Sequence, residues 1–556
     1  MKSLVNNLLR NPYYIFLFLL LAFGILIRCY NLDYKVIAGD ESHTIIYTSG
    51  MSRTALEQDL SDRVTTMEHL RSYLFYSPHT SYVDTLKSLA QDEPQHTPLH
   101  YLLARVWIKT FGSTITIARG LSVFIGLFTF PLVYWLCMEL FESRKTAWLA
   151  VALVAVSPLL LIFSQETRMY SLWAVAFLLS SALLLRALKS NRLAWWTAYA
   201  VSLSIGLYTF MVFSFIITAH FAYMIYRIIE GKNTIKFGSG NAVMRYAIST
   251  AIGIISLTPW LFTLYQNYDK ATTNLGWLDH KESIGFIVKS WALNFTSTFA
   301  DFGFVPNLKP PPVSMYPESL HYLPSWFQFL LGSYPGLASV LYVTKILISA
   351  LILYSLYYLY VRRGMYEYSI FLIFLILVPF AILAIPDLLG NGVGSTIYSV
   401  RYSIPVLIGV LIAVAYTLKS HMDKRKSIIA CMFRFVTAII LLLGITTSII
   451  AVNSEGWWYR HYLYNFREVA AIINQEDNAL VITPLGGQVL TFPHYLNPGV
   501  RMYAVTDAAS LNISEDEKNI YLYEPYHRMN LQHKLRTDGM RIEVVDEDLG
   551  LWRIYR

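Results

Sequence analysis

The chain has 556 residues, of which 55% are hydrophobic and only 14% charged, and its mean hydropathy is +0.44. That composition excludes a string of soluble domains and puts most of the chain in lipid. The net charge of +8 implies no nucleic-acid partner, because cytoplasmic loops of membrane proteins collect Lys and Arg.

Uncharged runs of roughly 20 residues match the about 30 Å of hydrocarbon that a helix must cross. They predict spans at 12–30, 116–140, 146–165, 169–188, 193–210, 212–229, 244–266, 336–361, 367–386, 400–419 and 433–452. The long uncharged stretch from Leu193 to Tyr226 is divided at MVFS. With the N-terminus inside, the segments Lys2–Arg10, Arg144/Lys145, RALKSNR, RIIEGKNTIK, RRG and LKSHMDKRK all fall on the cytoplasmic side, and every one is basic. This predicts a polytopic α-helical membrane protein of about eleven transmembrane helices. Residues 1–452 form the membrane domain and the C-terminus lies outside. The first apolar run lacks a small-residue cleavage pattern and reads as a retained span.

Three pieces then lie outside the membrane: 31–115, 267–335 and the tail 453–556. In the first, HTPLHYLLARVWIKTFG is too short to span and reads as an interfacial helix. The second, rich in aromatics and prolines, reads as a loop with little regular structure, and 320–344 has room for an extra interfacial helix. In the tail, NFREVAAIINQ and YHRMNLQHKLRTDG are helical in pattern, whereas ALVITP, NIYLYEP, MRIEVVDE and LWRIYR read as strands. That order predicts a small α/β domain over 453–556.

Few residues in such a chain carry chemistry. Asp40 and Glu41, in GDESHT, follow the first span closely. They read as a helix N-terminus, where carboxylates complement the dipole, or as a general base at the membrane surface. In SPLLLIFSQETRMYSL, Glu166 and Arg168 interrupt a long apolar stretch. A turn between two spans needs some polarity, but uncharged residues would serve without placing charge beside lipid. Arg401, at the start of a late span, either snorkels to the interface or grips a phosphate bidentately. Lys345 falls inside a span, where a charged residue is a functional candidate by default. His43, His96, Tyr170 and Tyr402 are candidate substrate contacts. His96 and His100 share a helix face, but the sequence offers them no third ligand, so no metal site is assigned. PLGGQ at 484–488 is not a dinucleotide fingerprint.

Taken in order, GDES, HTPLHYLLARVWIKTFG, ITIARGLSVFIGLFTFPLVYWL, SQETRMYSLWAVAFLL and VRYSIPVL resemble a known family. It comprises the bacterial and archaeal polyprenyl-phosphate-dependent glycosyltransferases grouped with the protein O-mannosyltransferases (glycosyltransferase family 39, GT-C fold). The aminoarabinose transferases of lipid A are its relatives. The resemblance covers nearly the whole membrane part, with SQETRMY and the Asp-Glu pair its most specific pieces. It departs at Thr97, where many relatives have proline.

The resemblance implies transfer of a sugar from a polyprenyl phosphate to an acceptor hydroxyl, with inversion, on the extracytoplasmic face of the plasma membrane. The acceptor is a glycan, lipid or protein. Asp40 matches the family's acidic residue after the first span, Glu41 its companion, Glu166 and Arg168 the acid and base of the later outer loop, and Arg401 the basic residue near the last spans. The chemistry asks for a base, cations for the departing phosphate (Arg168, Arg401 or Lys345) and a lipid groove. It requires no cofactor, and a divalent metal is compatible with it. A transporter or flippase, and a glycan ligase or polymerase, remain alternative readings of the same hydropathy.

Overall fold

A computed structural model describes residues 12–230, 241–275, 283–302, 335–362, 368–389, 397–423, 427–457, 466–524, 529–547 and 549–555. The chain groups into two compact units. The first comprises Met1–Tyr34, Gln95–His100 and Arg119–Tyr459; the second comprises Lys35–Pro94, Tyr101–Ala118 and Arg460–Arg556. Sequence drew one division, at 452/453. The second unit takes in most of the first predicted outer piece along with the tail.

The first unit is helical. Among the described residues eight helices are long and apolar enough to cross a membrane, or nine if the bent pair Arg144–Ala155 and Pro158–Ser164 is one span. Each predicted run is helical over most of its length, but Pro12–Cys29 and Leu193–Thr209 are short, at 18 and 17 residues. The chain turns at Met211–Phe213 between Leu193–Thr209 and Ser214–Ile229, within the MVFS stretch. Predicted span 146–165 is not straight: Ser157 and Pro158 break it and the two halves meet at 65°. Proline has no N–H to give the preceding turn and fits best at a helix start, where Pro158 sits.

One expectation is corrected. The piece 267–335 was read as a loop, but it contains the helices Tyr268–Leu275 and Ile284–Ser297. The second of them starts at a capped N-terminus. The Ser283 hydroxyl accepts from the Phe286 N–H at 3.3 Å, and Ile287, Leu293 and Ser297 form its buried face. Residues 303–334, including most of the suggested interfacial helix at 320–344, lie outside the described residues.

The second unit is built on a six-stranded sheet: β1 (Val64–Thr66), β2 (Leu480–Pro484), β3 (Arg501–Val505), β4 (Ile520–Tyr523), β5 (Arg541–Asp546) and β6 (Leu551–Tyr555), in the order β1-β3-β2-β4-β6-β5. Strands β3, β2 and β4 are parallel, with Ile482 aligned to Tyr503 on one side and Leu522 on the other. Central strands covered on both faces read as continuous apolar runs, and β2 and β4 are buried throughout. Leu480, Ile482, Leu522, Leu531, Leu535 and Trp552 belong to one apolar core. Two strands went unpredicted. β3 lies in VRMYAV, and β1 is three residues of the first outer piece that pair antiparallel with β3, Val64 opposite Tyr503.

Candidate active site

In the first unit the break at Ser157 exposes the last carbonyls of Arg144–Ala155, and a carbonyl left unpaired in lipid costs several kcal/mol. Arg28, at the end of Pro12–Cys29 and 2% exposed, takes them up. Its Nη1 donates to the Ala155 and Gly24 carbonyls at 2.9 and 2.8 Å, and its Nη2 to Val154 at 2.9 Å. The Phe130 ring lies 4.9 Å from its guanidinium. The Ser448 hydroxyl donates to the Val156 carbonyl at 3.0 Å. This close approach needs Gly24, because a Cβ there would stand 2.6 Å from the Ala155 Cβ.

The second half of the broken helix ends at Ser164, and the turn Gln165–Met169 leads into Tyr170–Ser190. Gln165 fixes the turn. Its Nε2 donates to the carbonyls of Ile27 (3.3 Å), Arg28 (3.2 Å) and Tyr30 (2.9 Å), the orphan carbonyls at the end of Pro12–Cys29. The Arg168 carbonyl accepts from the Ser122 hydroxyl at 3.3 Å, and Arg119 Nη1 donates to the Leu32 carbonyl at 2.7 Å. Glu166 and Arg168 are 4% and 6% exposed, so the turn is buried rather than a solvated tip. Burial pushes the His100 imidazole down to about 3, and the Arg168 charge adds to the effect.

Beside the turn is a small recess. Arg28, Thr129, Ser164 and Tyr170 give it polar groups, and Ile404 and Ile408 belong to its apolar lining. The Tyr402 ring stacks on Phe210 (5.7 Å), which meets Trp173 edge-on at 5.3 Å, and the Arg401 guanidinium lies 5.5 Å from the Tyr402 ring. The structure therefore ties Arg401 and Tyr402 through aromatic contacts to the helix that carries Tyr170. The charge of Asp301 acts on Lys345. Asp301 is buried and accepts from Trp457 Nε1 at 2.6 Å. His96 lies in the first unit, before the helix Leu99–Phe111.

Asp40, Glu41 and His43 lie in the second unit, on the helix Gly39–Thr48. The two carboxylates differ. Glu41 is 1% exposed and its Oε2 accepts from the Ala38 N–H at 3.2 Å, which closes the first turn. Asp40 and His43 are half-buried. At the far end Gly50, with φ of +78°, stops the helix. Arg105 covers that end, its Nη1 donating to the Thr48 carbonyl at 3.0 Å and to the Thr85 hydroxyl at 3.2 Å. Among the described residues no three His, Cys, Asp or Glu side chains come together as a metal centre would require.

Sequence reasoning missed Arg28, Gln165 and Asp301. A lone Arg at a span end reads as a topological charge, and Gln and Asp beside apolar runs give no periodic signal.

The fold has counterparts among solved structures. ArnT from Cupriavidus metallidurans matches it in two crystal structures. The form bound to undecaprenyl phosphate has 11% identity and a TM-score of 0.54 over 97% of each chain. The apo form has 11% identity and a TM-score of 0.52 over 98% of each. At that identity the likeness is one of fold. The oligosaccharyltransferase of Archaeoglobus fulgidus covers 88% of this chain and 64% of its own, with 12% identity and a TM-score of 0.47. In sequence, residues 95–262 match the family model described as dolichyl-phosphate-mannose-protein mannosyltransferase, the stretch that contains the Gln165–Arg168 turn. A comparison with curated proteins gives no match.

Proposed function

We propose that this protein is an integral-membrane glycosyltransferase that moves a sugar from a polyprenyl-phosphate donor to an acceptor hydroxyl. Transfer inverts the anomeric carbon and takes place on the extracytoplasmic face, in a chain of about eleven spans with its N-terminus inside. The observation that carries the reading is the buried Glu166–Arg168 turn beside a recess lined by both polar and apolar side chains. It lies within the stretch that matches the mannosyltransferase family. Burying an acid and a guanidinium in a membrane unit is costly and calls for a task.

In this scheme Asp40 takes the proton of the acceptor hydroxyl. The oxygen attacks the anomeric carbon, the bond from that carbon to the phosphate oxygen breaks, and the polyprenyl phosphate leaves with the electron pair. Arg168 and Arg401 stabilise the charge that develops on the phosphate, an effect worth a few kcal/mol in a site shielded from water. Glu166 orients Arg168 or the donor sugar, and Tyr170 and Tyr402 offer ring faces to sugar or lipid. Glu41 supports the helix that holds Asp40. Lys345 is the least favoured phosphate ligand because Asp301 already engages its charge.

The test is to incubate purified protein with a total lipid extract of its source membranes and to analyse bound lipids and products by mass spectrometry. Polyprenyl phosphate recovered with the protein, and a glycosylated product that Asp40→Asn fails to make, are expected. No bound polyprenyl phosphate and no transfer would favour a transporter. A product joining two lipid-linked glycans would identify a polymerase or ligase.

A further inference from the structure

The PLGGQ stretch is not a dinucleotide fingerprint, yet its surroundings give it work. The chain leaves β2 through Gly486, forms the short helix Gly487–Thr491, and turns through Phe492–His494 to Tyr495. The N-terminal end of Gly39–Thr48 lies on this segment within the second unit. The Ile37 N–H donates to the Tyr495 hydroxyl oxygen at 3.0 Å, and the Thr491 hydroxyl is shared between the Ile37 carbonyl at 3.4 Å and the Gly487 carbonyl at 3.3 Å. On the other side of Asp40, the Ser42 hydroxyl donates to the Leu490 carbonyl at 3.4 Å. A Cβ on Gly39 would lie 3.8 Å from the Gly487 Cα. Asp40 is thus bracketed by tail contacts, and both polar groups of Ile37, itself 0% exposed, are held by the tail.

The seat is itself fixed. Arg71 donates to the carbonyls of Pro493 (2.8 Å) and Leu496 (2.7 Å). Asn474 Nδ2 donates to the Tyr495 carbonyl at 3.0 Å. The Phe492 ring packs at 5.0 Å against Phe466 and at 5.0 Å against Tyr523 of β4. The helix Gly39–Thr48 is therefore pinned to the sheet through a short rigid segment, whereas its other end is held by Arg105.

We propose that Leu490, Thr491 and Tyr495 form a positioning element for Asp40, so that the tail sets the orientation of the reaction's base as well as folding beside it. This rests on the reading of Asp40 as base. A misplacement of about 1 Å costs on the order of 10²-fold in rate, and a buried N–H that loses its acceptor shifts to find another.

Tyr495→Phe and Thr491→Val each remove one hydroxyl and keep the shape. The double variant Tyr495→Phe/Thr491→Val is compared with wild type and Asp40→Asn. Transfer is measured with the polyprenyl-phosphate sugar fraction of the membrane extract, and undecaprenyl phosphate serves as binding probe. The double variant is expected to lose roughly tenfold or more in kcat, with KM and undecaprenyl phosphate affinity within about twofold of wild type. Hydrogen exchange over 37–43 is expected to quicken while β2 and β4 stay protected. An unchanged kcat, or a loss of kcat only in step with lost protection of the sheet, overturns the positioning role. Wild-type transfer by Asp40→Asn overturns the base assignment, and the positioning role with it. An inactive Asp40→Asn beside a fully active double variant removes the positioning role alone.

Discussion

Arg28 caps the helix Arg144–Ala155, and Gln165 caps the helix that carries Arg28. The Arg28 guanidinium takes the last carbonyls of Arg144–Ala155, and the Gln165 amide takes the carbonyls of Ile27, Arg28 and Tyr30. Two helix ends in an apolar setting are thereby satisfied, and the turn carrying Glu166 and Arg168 is fixed to the end of the first helix. Replacing Arg28 with Leu leaves the Ala155 carbonyl without a donor, since Val154 keeps the Ser157 N–H and Gly24 keeps the backbone N–H one helical turn on, and an unpaired buried carbonyl costs roughly 1–3 kcal/mol. Arg28→Leu is expected to lower the thermal midpoint in detergent markedly and to abolish transfer. Arg28→Lys keeps a charge but loses the fork, so it should fall between. Equal midpoints for Arg28→Leu and wild type would show that the carbonyl finds another partner.

The same crossing depends on Gly24. A Cβ there meets the Ala155 Cβ at 2.6 Å and its backbone at 2.9 Å, whereas a Cβ on Gly39 has only an ordinary contact at 3.8 Å. Gly24→Ala forces the helices apart and should cost about 1–3 kcal/mol. Gly39→Ala should leave the midpoint unchanged. Unfolding curves of the two variants beside wild type decide the matter, and a neutral Gly24→Ala would contradict the packing.

The adjacent carboxylates should separate by function. Glu41→Gln keeps an acceptor for the Ala38 N–H, so most activity should remain, while Glu41→Ala loses the cap and about 1 kcal/mol of stability. Asp40→Asn should abolish transfer with an unchanged midpoint. Comparable rates for Asp40→Asn and Glu41→Gln would dissolve the distinction.

What the sequence made legible followed from long-range pattern. Apolar runs bounded by basic loops marked the helices, and the alternation of pattern in the tail marked four of its strands. Pattern is blind to single residues whose role appears only across the fold. Val64–Thr66 is too short to register as a strand until Arg501–Val505 lies beside it. Pro158 looked compatible with a straight span because Leu, Ile and Phe surround it, although the backbone turns by 65° there. At the candidate site, Glu166 and Arg168 stood out as charges in an apolar stretch. Gln165, which fixes them in place, is uncharged and did not. Asp40 and Glu41 were legible as a pair but not as a buried cap beside a half-buried acid.

His100 gives a pH signature to seek. Its imidazole titrates at about 3 in the folded chain, against about 6.5 when unfolded. Between those values the unfolded chain binds the proton and the folded chain does not, so stability falls as pH drops from 6.5 toward 3. The slope is at most roughly 1.4 kcal/mol per pH unit for one group. Midpoints recorded at pH 7, 6 and 5 should decline in wild type and decline less in His100→Gln, which cannot take up the proton. Parallel declines would show that other groups carry the acid sensitivity.

Lys345 and Asp301 offer a test that separates a structural ion pair from a phosphate ligand. Asp301 is buried, and its charge acts on Lys345 from a neighbouring part of the same unit. Breaking a buried pair by removing one partner costs about 3–5 kcal/mol, because the other charge is left uncompensated, while removing both is often neutral. If pairing is the role of Lys345, Lys345→Met and Asp301→Asn each lower the midpoint, and the double variant recovers much of the loss together with transfer. If Lys345 grips the donor phosphate, the double variant recovers stability but not undecaprenyl phosphate binding. We expect recovery of both, since the Asp301 carboxylate is held in place by Trp457 at 2.6 Å and its negative charge would oppose a phosphate brought to the same ammonium.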